Sequence, residues 1–165
     1  MAPSSRYPRW LQAPDEGANL REVAPGLYVG AESSPARYYE MPSGHFTTIV
    51  DFYGSYRHAT SPFVRYGYQA ADQVYSFPFY DGASFPPGAL DAAYAAYQIA
   101  LLEGGQCLLH CQAGLSRSAS AAYAIMRRHY KLSHEAALHA VRVPAYRDHF
   151  PLPATLASAR AWAKR

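Results

Sequence analysis

Residues 110–118 form the stretch that most constrains the fold, because they stand between two runs with different patterns. The apolar run at 106–109 predicts a short buried strand, and the alanine-rich run at 118–130 predicts a helix. A strand, a tight loop and a helix in this order aim the loop N–H groups and the positive end of the helix dipole at one point. The stretch therefore predicts an oxyanion site at the end of a strand.

Two side chains of this loop carry chemistry. Cys111 and Arg117 are six positions apart, with Gly114 between them. An arginine can bind two oxygens of one phosphate, and the same positive surroundings would stabilise the thiolate form of Cys111. The loop thus predicts an ionised nucleophile beneath a bound phosphoryl group. The alternative is a buried structural cysteine with a solvated arginine at the start of the helix.

The pattern His-Cys-x-x-Gly-x-x-Arg-Ser of this loop resembles the signature of the cysteine-dependent protein tyrosine phosphatases, specifically the small dual-specificity phosphatases. The resemblance covers roughly residues 20–143. It implies a nucleophilic Cys111, a phosphate-binding Arg117, and a His110 that supports the loop rather than acting as a base. It also implies that the phosphate lies against the loop residues Gln112, Ala113, Gly114, Leu115, Ser116 and Arg117.

Ser118 directly follows the arginine of the motif. Its hydroxyl can donate to the sulfur of Cys111, which would make the thiolate a better leaving group when the intermediate is hydrolysed. Capping of the following helix is its ordinary structural role, and the two roles are compatible.

The leaving oxygen of the substrate needs a proton donor, and Asp81 is the candidate. It lies thirty positions before Cys111, ahead of Gly82 and after a predicted strand. This spacing and the preceding Phe-Pro-Phe-Tyr look like the general-acid loop of the family. The alternative for Asp81 is a turn residue. The rival carboxylates are Asp91, which the dipole of a predicted helix favours in its first turn, and Asp72, which precedes the predicted strand at its far end.

Predicted strands and helices alternate without a two-domain break. This order predicts a single α/β domain with a central mixed, mostly parallel sheet of about five strands, flanked by helices, and a phosphatase P-loop between the last strand and a helix. We expect residues 1–19 to form an irregular leader and residues 20–165 the catalytic domain. The predicted strands are 20–23, 27–30, 46–52, 75–79 and 106–109. The predicted helices are 33–41, one between 88 and 104, 118–130, 133–143 and 154–163.

Composition limits the class of protein. The chain has 165 residues, half of them apolar, and a net charge of +3. These values fit one compact domain and suit a phosphorylated substrate without indicating a nucleic acid. No apolar run approaches the roughly 18 residues of a membrane span, and the N-terminus lacks the apolar core of a signal peptide. We therefore expect a cytoplasmic monomer that binds neither membranes nor nucleic acid.

The cysteines and histidines predict no further chemistry. Cys107 lies four residues before Cys111 along a strand, too far away for a disulfide, and we expect a buried small hydrophobe there. His134 and His139 lack the glutamate of a His-Glu-x-x-His pattern. We expect no metal and no cofactor.

The variable loop positions Gln112, Ala113, Leu115 and Ser116 carry no charge. Because related enzymes that act on phosphoinositides tend to carry lysine or arginine there, we expect phosphoproteins as substrates. A shallow pocket would admit phosphoserine and phosphothreonine as well as phosphotyrosine. The alternatives are a non-catalytic module that binds phosphorylated residues and a phosphatase for a small-molecule or RNA-end phosphate.

Two parts of the sequence leave alternatives open. The Tyr- and Arg-rich segment 53–73 either rims the site or is an irregular connection with partly buried tyrosines. The chain also departs from the family pattern, because Ala119 stands where proline is frequent and 144–151 lacks the Pro-Asn pair that supports the loop. Arg147, Asp148 and His149 are the candidates to replace that support.

Overall fold

The computed structural model of the protein describes residues 20–32, 46–54, 71–143 and 149–165. The predicted leader at 1–19, the predicted helix ending at residue 41 and most of the segment 53–73 lie outside these ranges. The described residues form a sheet with helices packed against it, in the order along the chain that the sequence predicts.

Five strands make up the sheet of the described residues, in the order β1-β2-β5-β3-β4. The first two strands are antiparallel, and the other neighbours are parallel. This is the mixed, mostly parallel sheet that the sequence predicts. The strands are β1 (Arg21–Ala24), β2 (Leu27–Gly30), β3 (Phe46–Asp51), β4 (Ala71–Ser76) and β5 (Cys107–His110).

Strand β5 lies between β2 and β3, runs parallel to both, and is buried along its whole length. His110 is in register with Gly30 at the end of β2 and with Asp51 at the end of β3. The carboxyl ends of three strands therefore meet where the chain leaves the sheet at Cys111. This edge is where open α/β sheets bind ligands.

Four helices follow in the described residues. They are α1 (Ala89–Leu102), α2 (Arg117–Tyr130), α3 (His134–Val141) and α4 (Pro153–Ala163). Ser133 caps α3 by accepting a hydrogen bond from the backbone N–H of Ala136 at 3.1 Å. None of these helices is long and apolar enough to cross a bilayer.

Helix α2 is the core helix of the fold. Its residues 117–126 are all buried, whereas an ordinary surface helix buries only one stripe. Residues 118–122 are all alanine or serine. Their small side chains allow the helix to approach the sheet closely. Ala119, where the family favours proline, is fully buried inside this helix. The loop before α2 is thus anchored by β5 on one side and by a buried helix on the other.

The predicted strand at 75–79 is wrong in its bounds, because β4 spans Ala71–Ser76. This strand lies at the edge of the sheet and is partly exposed throughout, so its apolar pattern is weak. The residues after Ser76 are no longer regular strand, although the N–H of Phe77 still donates to the carbonyl of Asp51 at 2.9 Å. Asp72 consequently lies within the strand rather than before it.

Candidate active site

The loop at 111–116 is held against the end of β2. Gly114 has a φ of +74°, in the left-handed region, and a Cβ there would lie 2.8 Å from the carbonyl carbon of Gly30. A side chain at this position would meet both backbone strain and a clash. The N–H of Cys111 donates to the carbonyl oxygen of Gly30 at 3.3 Å. The packing of the loop on β2 therefore requires the glycine of the motif.

Cys111 follows β5 directly and is only 3% exposed. Its Sγ lies 3.2 Å from Oγ of Ser118, a distance at which the hydroxyl can donate to a thiolate. Helix α2 begins at Arg117 and its N-cap is Ser116, so the expected capping role of Ser118 is wrong. The positive end of the α2 dipole lies beside the sulfur, where it favours negative charge.

Arg117 is 5% exposed, so a solvated arginine at the start of the helix is excluded. Its Nη1 donates to the carbonyl oxygens of Phe79 at 2.7 Å and Phe52 at 3.3 Å. Its Nε is buried and has no hydrogen-bond partner among the described residues. The guanidinium carbon lies 5.5 Å from the ring centroid of Tyr53. Arg117 is thus a buried cation with a donor available for a further acceptor.

Asp81 is the carboxylate that the structure brings to this site. Its Oδ1 lies 3.7 Å from Nε of Arg117, and its side chain is 44% exposed. The rival Asp91 instead accepts a hydrogen bond from Nε1 of Trp162 at 3.0 Å. The rival Asp72 is exposed in the first half of β4, whose other end runs toward the site. Of the three acids, only Asp81 therefore faces the arginine.

A cleft of about 700 Å³ opens above Arg117. Its lining residues come from the end of β3, the segment after β4 and the loop after β5, and they are Tyr53, Pro78, Phe79, Tyr80, Asp81, Gln112 and Arg117. Three of the seven lining residues are aromatic, and Tyr80 is 90% exposed at the rim. Tyr53 lines the cleft, which agrees with the interpretation of segment 53–73 as a rim of the site. Residues 71–73 of the same segment instead belong to β4.

His110 is fully buried beneath the loop. Its Nδ1 lies 3.4 Å from the carbonyl oxygen of Cys111, and its Nε2 lies 3.7 Å from Oδ1 of Asp51. Burial lowers the pKa of His110 below its ordinary value, and the charge of Arg117 acts in the same direction, while Asp51 opposes both. A neutral imidazole in this position can support the backbone of the loop, but it is not poised to act as a base toward the cleft.

Asp51 is a functional neighbour that the sequence reasoning missed. It ends the central strand β3, is fully buried, and accepts hydrogen bonds from the N–H groups of Tyr53 and Gly54 at 2.8 and 2.9 Å. These bonds turn the chain so that Tyr53 enters the wall of the cleft. The signal in the sequence was an acid at the end of a strand of apolar and β-branched residues.

Arg21 was also missed, and it supports the loop from behind. Its Nη2 donates to the carbonyl oxygen of Gly114 at 3.0 Å and to that of Val141 at 2.7 Å. Burial lowers the pKa of Arg21 to about 10, and attraction to Cys111 opposes this shift. The guanidinium is therefore a cation that faces the cysteine loop from the first strand.

None of the three residues that the sequence offers as support for the loop is seen to hold it in the described residues. Arg147 and Asp148 lie outside the described residues, and His149 lines a different cavity. A second anchor comes from the chain just before α4, where the N–H of Leu152 donates to Oγ of Ser116 at 2.9 Å. Gln112 and Ala113 are exposed, and Leu115 is half-buried.

Within the described ranges, no three His, Cys, Asp or Glu side chains cluster in a way that could hold a metal ion. Cys107 is buried and free, as expected, and burial raises the pKa of its thiol to about 12. It therefore stays a neutral thiol.

Comparison by sequence finds no matching family model and no significantly similar curated protein. Solved structures do match. Human DUSP28 aligns with a TM-score of 0.62 and 23% identity over 88% of this chain and 90% of its own. The chain has the fold of the dual-specificity phosphatases.

Two further structures share the dual-specificity phosphatase fold. The human tyrosine phosphatase-like serine/threonine/tyrosine-interacting protein has a TM-score of 0.65 and 18% identity, over 88% of this chain and 95% of its own. PTPMT1 in complex with PI(5)P has a TM-score of 0.63 and 20% identity, over 88% of this chain and 94% of its own. The resemblance carried by the motif is thus confirmed at the level of the fold, with the P-loop after β5.

Proposed function

We propose that this chain is a cysteine-dependent phosphatase that hydrolyses phosphate monoesters on phosphoproteins. One observation carries the proposal. The cation that begins the helix after the cysteine loop, Arg117, lies 3.7 Å from Asp81 across the cleft, so the groups for phosphate binding and proton transfer share one site. Cys111 lies at the loop end of the same helix.

In the first step, Sγ of Cys111 attacks phosphorus as the thiolate, and the bond from phosphorus to the leaving oxygen breaks. Loop N–H groups and Arg117 stabilise the equatorial oxygens. Asp81, in its protonated form, gives its proton to the leaving oxygen. The products are a cysteinyl-phosphate, an alcohol or phenol, and an ionised Asp81.

In the second step, the carboxylate of Asp81 takes a proton from water, and the water oxygen attacks phosphorus. The phosphorus–sulfur bond breaks and returns the thiolate. Ser118, 3.2 Å from the sulfur, donates to the departing thiolate. Phosphate leaves, Asp81 is again protonated, and the cycle is complete.

The walls of the cleft support the proposed substrate class. Tyr53, Phe79 and Tyr80 offer aromatic surface to the group that carries the phosphate, which suits phosphotyrosine. The variable loop positions carry no cation that would bind further phosphates on an inositol ring. We therefore propose single phosphates on protein, phosphoserine and phosphothreonine included, and a cytoplasmic monomer, since a free nucleophilic thiol needs a reducing compartment.

A substrate panel tests the proposal. The purified chain and its Cys111→Ser variant are assayed for phosphate release from a phosphotyrosine peptide, a phosphothreonine peptide and PI(5)P in vesicles. We expect release from the peptides by the wild type, none by the variant, and retained peptide binding by the variant. Release mainly from PI(5)P would replace the phosphoprotein assignment with a lipid one.

The non-catalytic alternative gives a different result in the same panel. A binding module would retain phosphopeptide without releasing phosphate, and the wild type and Cys111→Ser would behave alike. Both the nucleophile and its arginine are present in this chain, which favours catalysis.

A further inference from the structure

A second cavity of about 370 Å³ lies between α3 and the N-terminal half of α4. It shares no lining residue with the cleft above Arg117. Its lining residues are His134, Arg142, His149, Phe150, Pro151, Pro153, Leu156, Ala157 and Arg160.

The polar lining of this cavity is basic. Arg142, Arg160, His134 and His149 line it, and no carboxylate is among its described lining residues. Nε of Arg142 is buried without a hydrogen-bond partner. Neither guanidinium group has a hydrogen bond or an ion pair in the part of the chain that the structure describes. Two cations without partners thus converge on one concave surface.

The lowered pKa of His134 is consistent with the same excess of positive charge. Desolvation lowers its pKa below the ordinary value, and Arg160, Arg127 and Arg142 lower it further, against a weaker opposite effect of Glu135. An anion among these groups would offset their repulsion.

The other half of the lining is apolar. Phe150, Pro151, Pro153 and Leu156 offer a hydrophobic wall beside the arginines. Sites of this kind bury the apolar body of a ligand and use a few polar groups to fix its orientation. A ligand that matches both halves carries an oxyanion on an aromatic or aliphatic body.

We propose that this cavity is a second oxyanion site, which binds a phosphate group attached to a small aromatic body. The two guanidinium groups hold the phosphate oxygens, and the proline-rich wall packs against the ring. The site does not depend on the proposed reaction.

Helix α4 joins this cavity to the catalytic loops. Its residues Pro153, Leu156 and Arg160 follow helical spacing and face the cavity. Two of its hydrogen bonds go to the segment after Asp81: Oγ1 of Thr155 donates to the carbonyl of Ala83 at 2.7 Å, and Oγ of Ser158 accepts from the N–H of Phe85 at 3.0 Å. A ligand in the cavity would therefore contact the helix that holds the general-acid segment.

Equilibrium dialysis with phenylphosphonate, which has no ester bond to hydrolyse, tests the site. We expect the wild type to bind in both the cleft and the cavity. The variant Arg142→Gln/Arg160→Gln should lose only the binding of phenylphosphonate in the cavity, and Arg117→Ala should lose only its binding in the cleft. Arg165→Gln removes an exposed arginine at the chain end and serves as the matched control, with both events retained.

The outcomes separate the two proposals. No binding to Arg117→Ala, or full binding to Arg142→Gln/Arg160→Gln, would overturn the second site. Loss of all binding in the double variant, with none lost in Arg117→Ala, would instead overturn the phosphate role of the cleft.

Imidazole NMR gives a second readout on the folded wild type. Phenylphosphonate should raise the pKa of His134, because a bound anion stabilises the imidazolium form. Inorganic phosphate should bind more weakly than phenylphosphonate, since it leaves the apolar wall unused. An unchanged titration of His134 at saturating phenylphosphonate would contradict the proposal.

Discussion

Arg21 donates a hydrogen bond to the carbonyl oxygen of Gly114 at 3.0 Å, across 93 positions of sequence. The bond ties the cysteine loop to the first strand of the sheet. A second bond from the same nitrogen to Val141 fixes the end of α3 to the same point. The shape of the loop thus depends on an arginine that lies outside the motif.

Replacing Arg21 with glutamine should impair catalysis more than binding. The variant leaves a buried carbonyl of the loop without its donor, at a cost of about 1–3 kcal/mol, and removes a cation that attracts the thiolate. We expect a lower kcat and slower alkylation of Cys111 by iodoacetamide at neutral pH. Cys107, buried and neutral, should not interfere. Arg165→Gln is the control, and an unchanged alkylation profile in Arg21→Gln would limit Arg21 to a structural role.

Arg117→Lys should lose most activity although the charge is kept. An ammonium group cannot bind two phosphate oxygens in one plane, nor can it replace the bonds of Nη1 to Phe79 and Phe52. Steady-state kinetics with a phosphotyrosine peptide measure the effect. Near wild-type kcat/KM in this variant would place Arg117 outside the reaction.

Asp81→Asn should show a loss that grows with the basicity of the leaving oxygen. The nitrophenolate leaving group departs without a proton, whereas the leaving groups of phosphotyrosine and especially phosphothreonine need one. Loss of the acid should therefore lower the rate on these substrates by roughly 10²–10⁴-fold. The matched variants are Asp72→Asn and Asp91→Asn. If the dependence steepens in either of these and not in Asp81→Asn, the wrong carboxylate has been assigned.

Ser118→Ala should slow the second step more than the first. The hydroxyl at 3.2 Å from Sγ stabilises the thiolate as it leaves phosphorus. We expect a rapid burst of nitrophenolate followed by a slow steady state, measured by stopped-flow absorbance. A linear time course with an unchanged rate would show that the serine does not act on the sulfur.

The stability of the fold should fall in mild acid because of His110. Burial lowers its pKa in the folded protein, so the unfolded chain binds the proton first as the pH drops. The contribution of the neutral His110 to the free energy of unfolding is therefore fully present above about pH 6.5, the ordinary pKa of histidine. Below that pH the free energy of unfolding declines by up to about 1.4 kcal/mol per pH unit. Urea unfolding between pH 8 and pH 5 measures this, and His110→Gln should flatten the dependence. A wild type equally stable at both ends would contradict it.

The sequence predicts those parts of this site whose interacting residues lie close together along the chain. Cys111, Arg117 and Ser118 lie within one loop and helix start, where spacing alone determines which side chains meet. Asp81 was placed by the strand that precedes it, although that strand ends at Ser76, earlier than predicted.

Arg21 and Asp51 could not be found in the same way. Arg21 reads as an ordinary polar residue of an edge strand, and its partners are 93 and 120 positions away. The edge strand β4 was misplaced because its exposure varies along its length and weakens the apolar alternation. Contacts that join distant segments leave no local pattern, so the support of the site appears only in three dimensions.

Because the donor to Gly114 comes from β1 at the sheet edge, the catalytic loop has its full set of contacts only when residues 21 and 114 have come together. Loop-closure entropy opposes contacts of such high sequence separation. Edge strands also fray before central ones. The cysteine loop would therefore lose its geometry in partial openings that leave β5 and α2 intact, so the site is locally less stable than the domain that carries it.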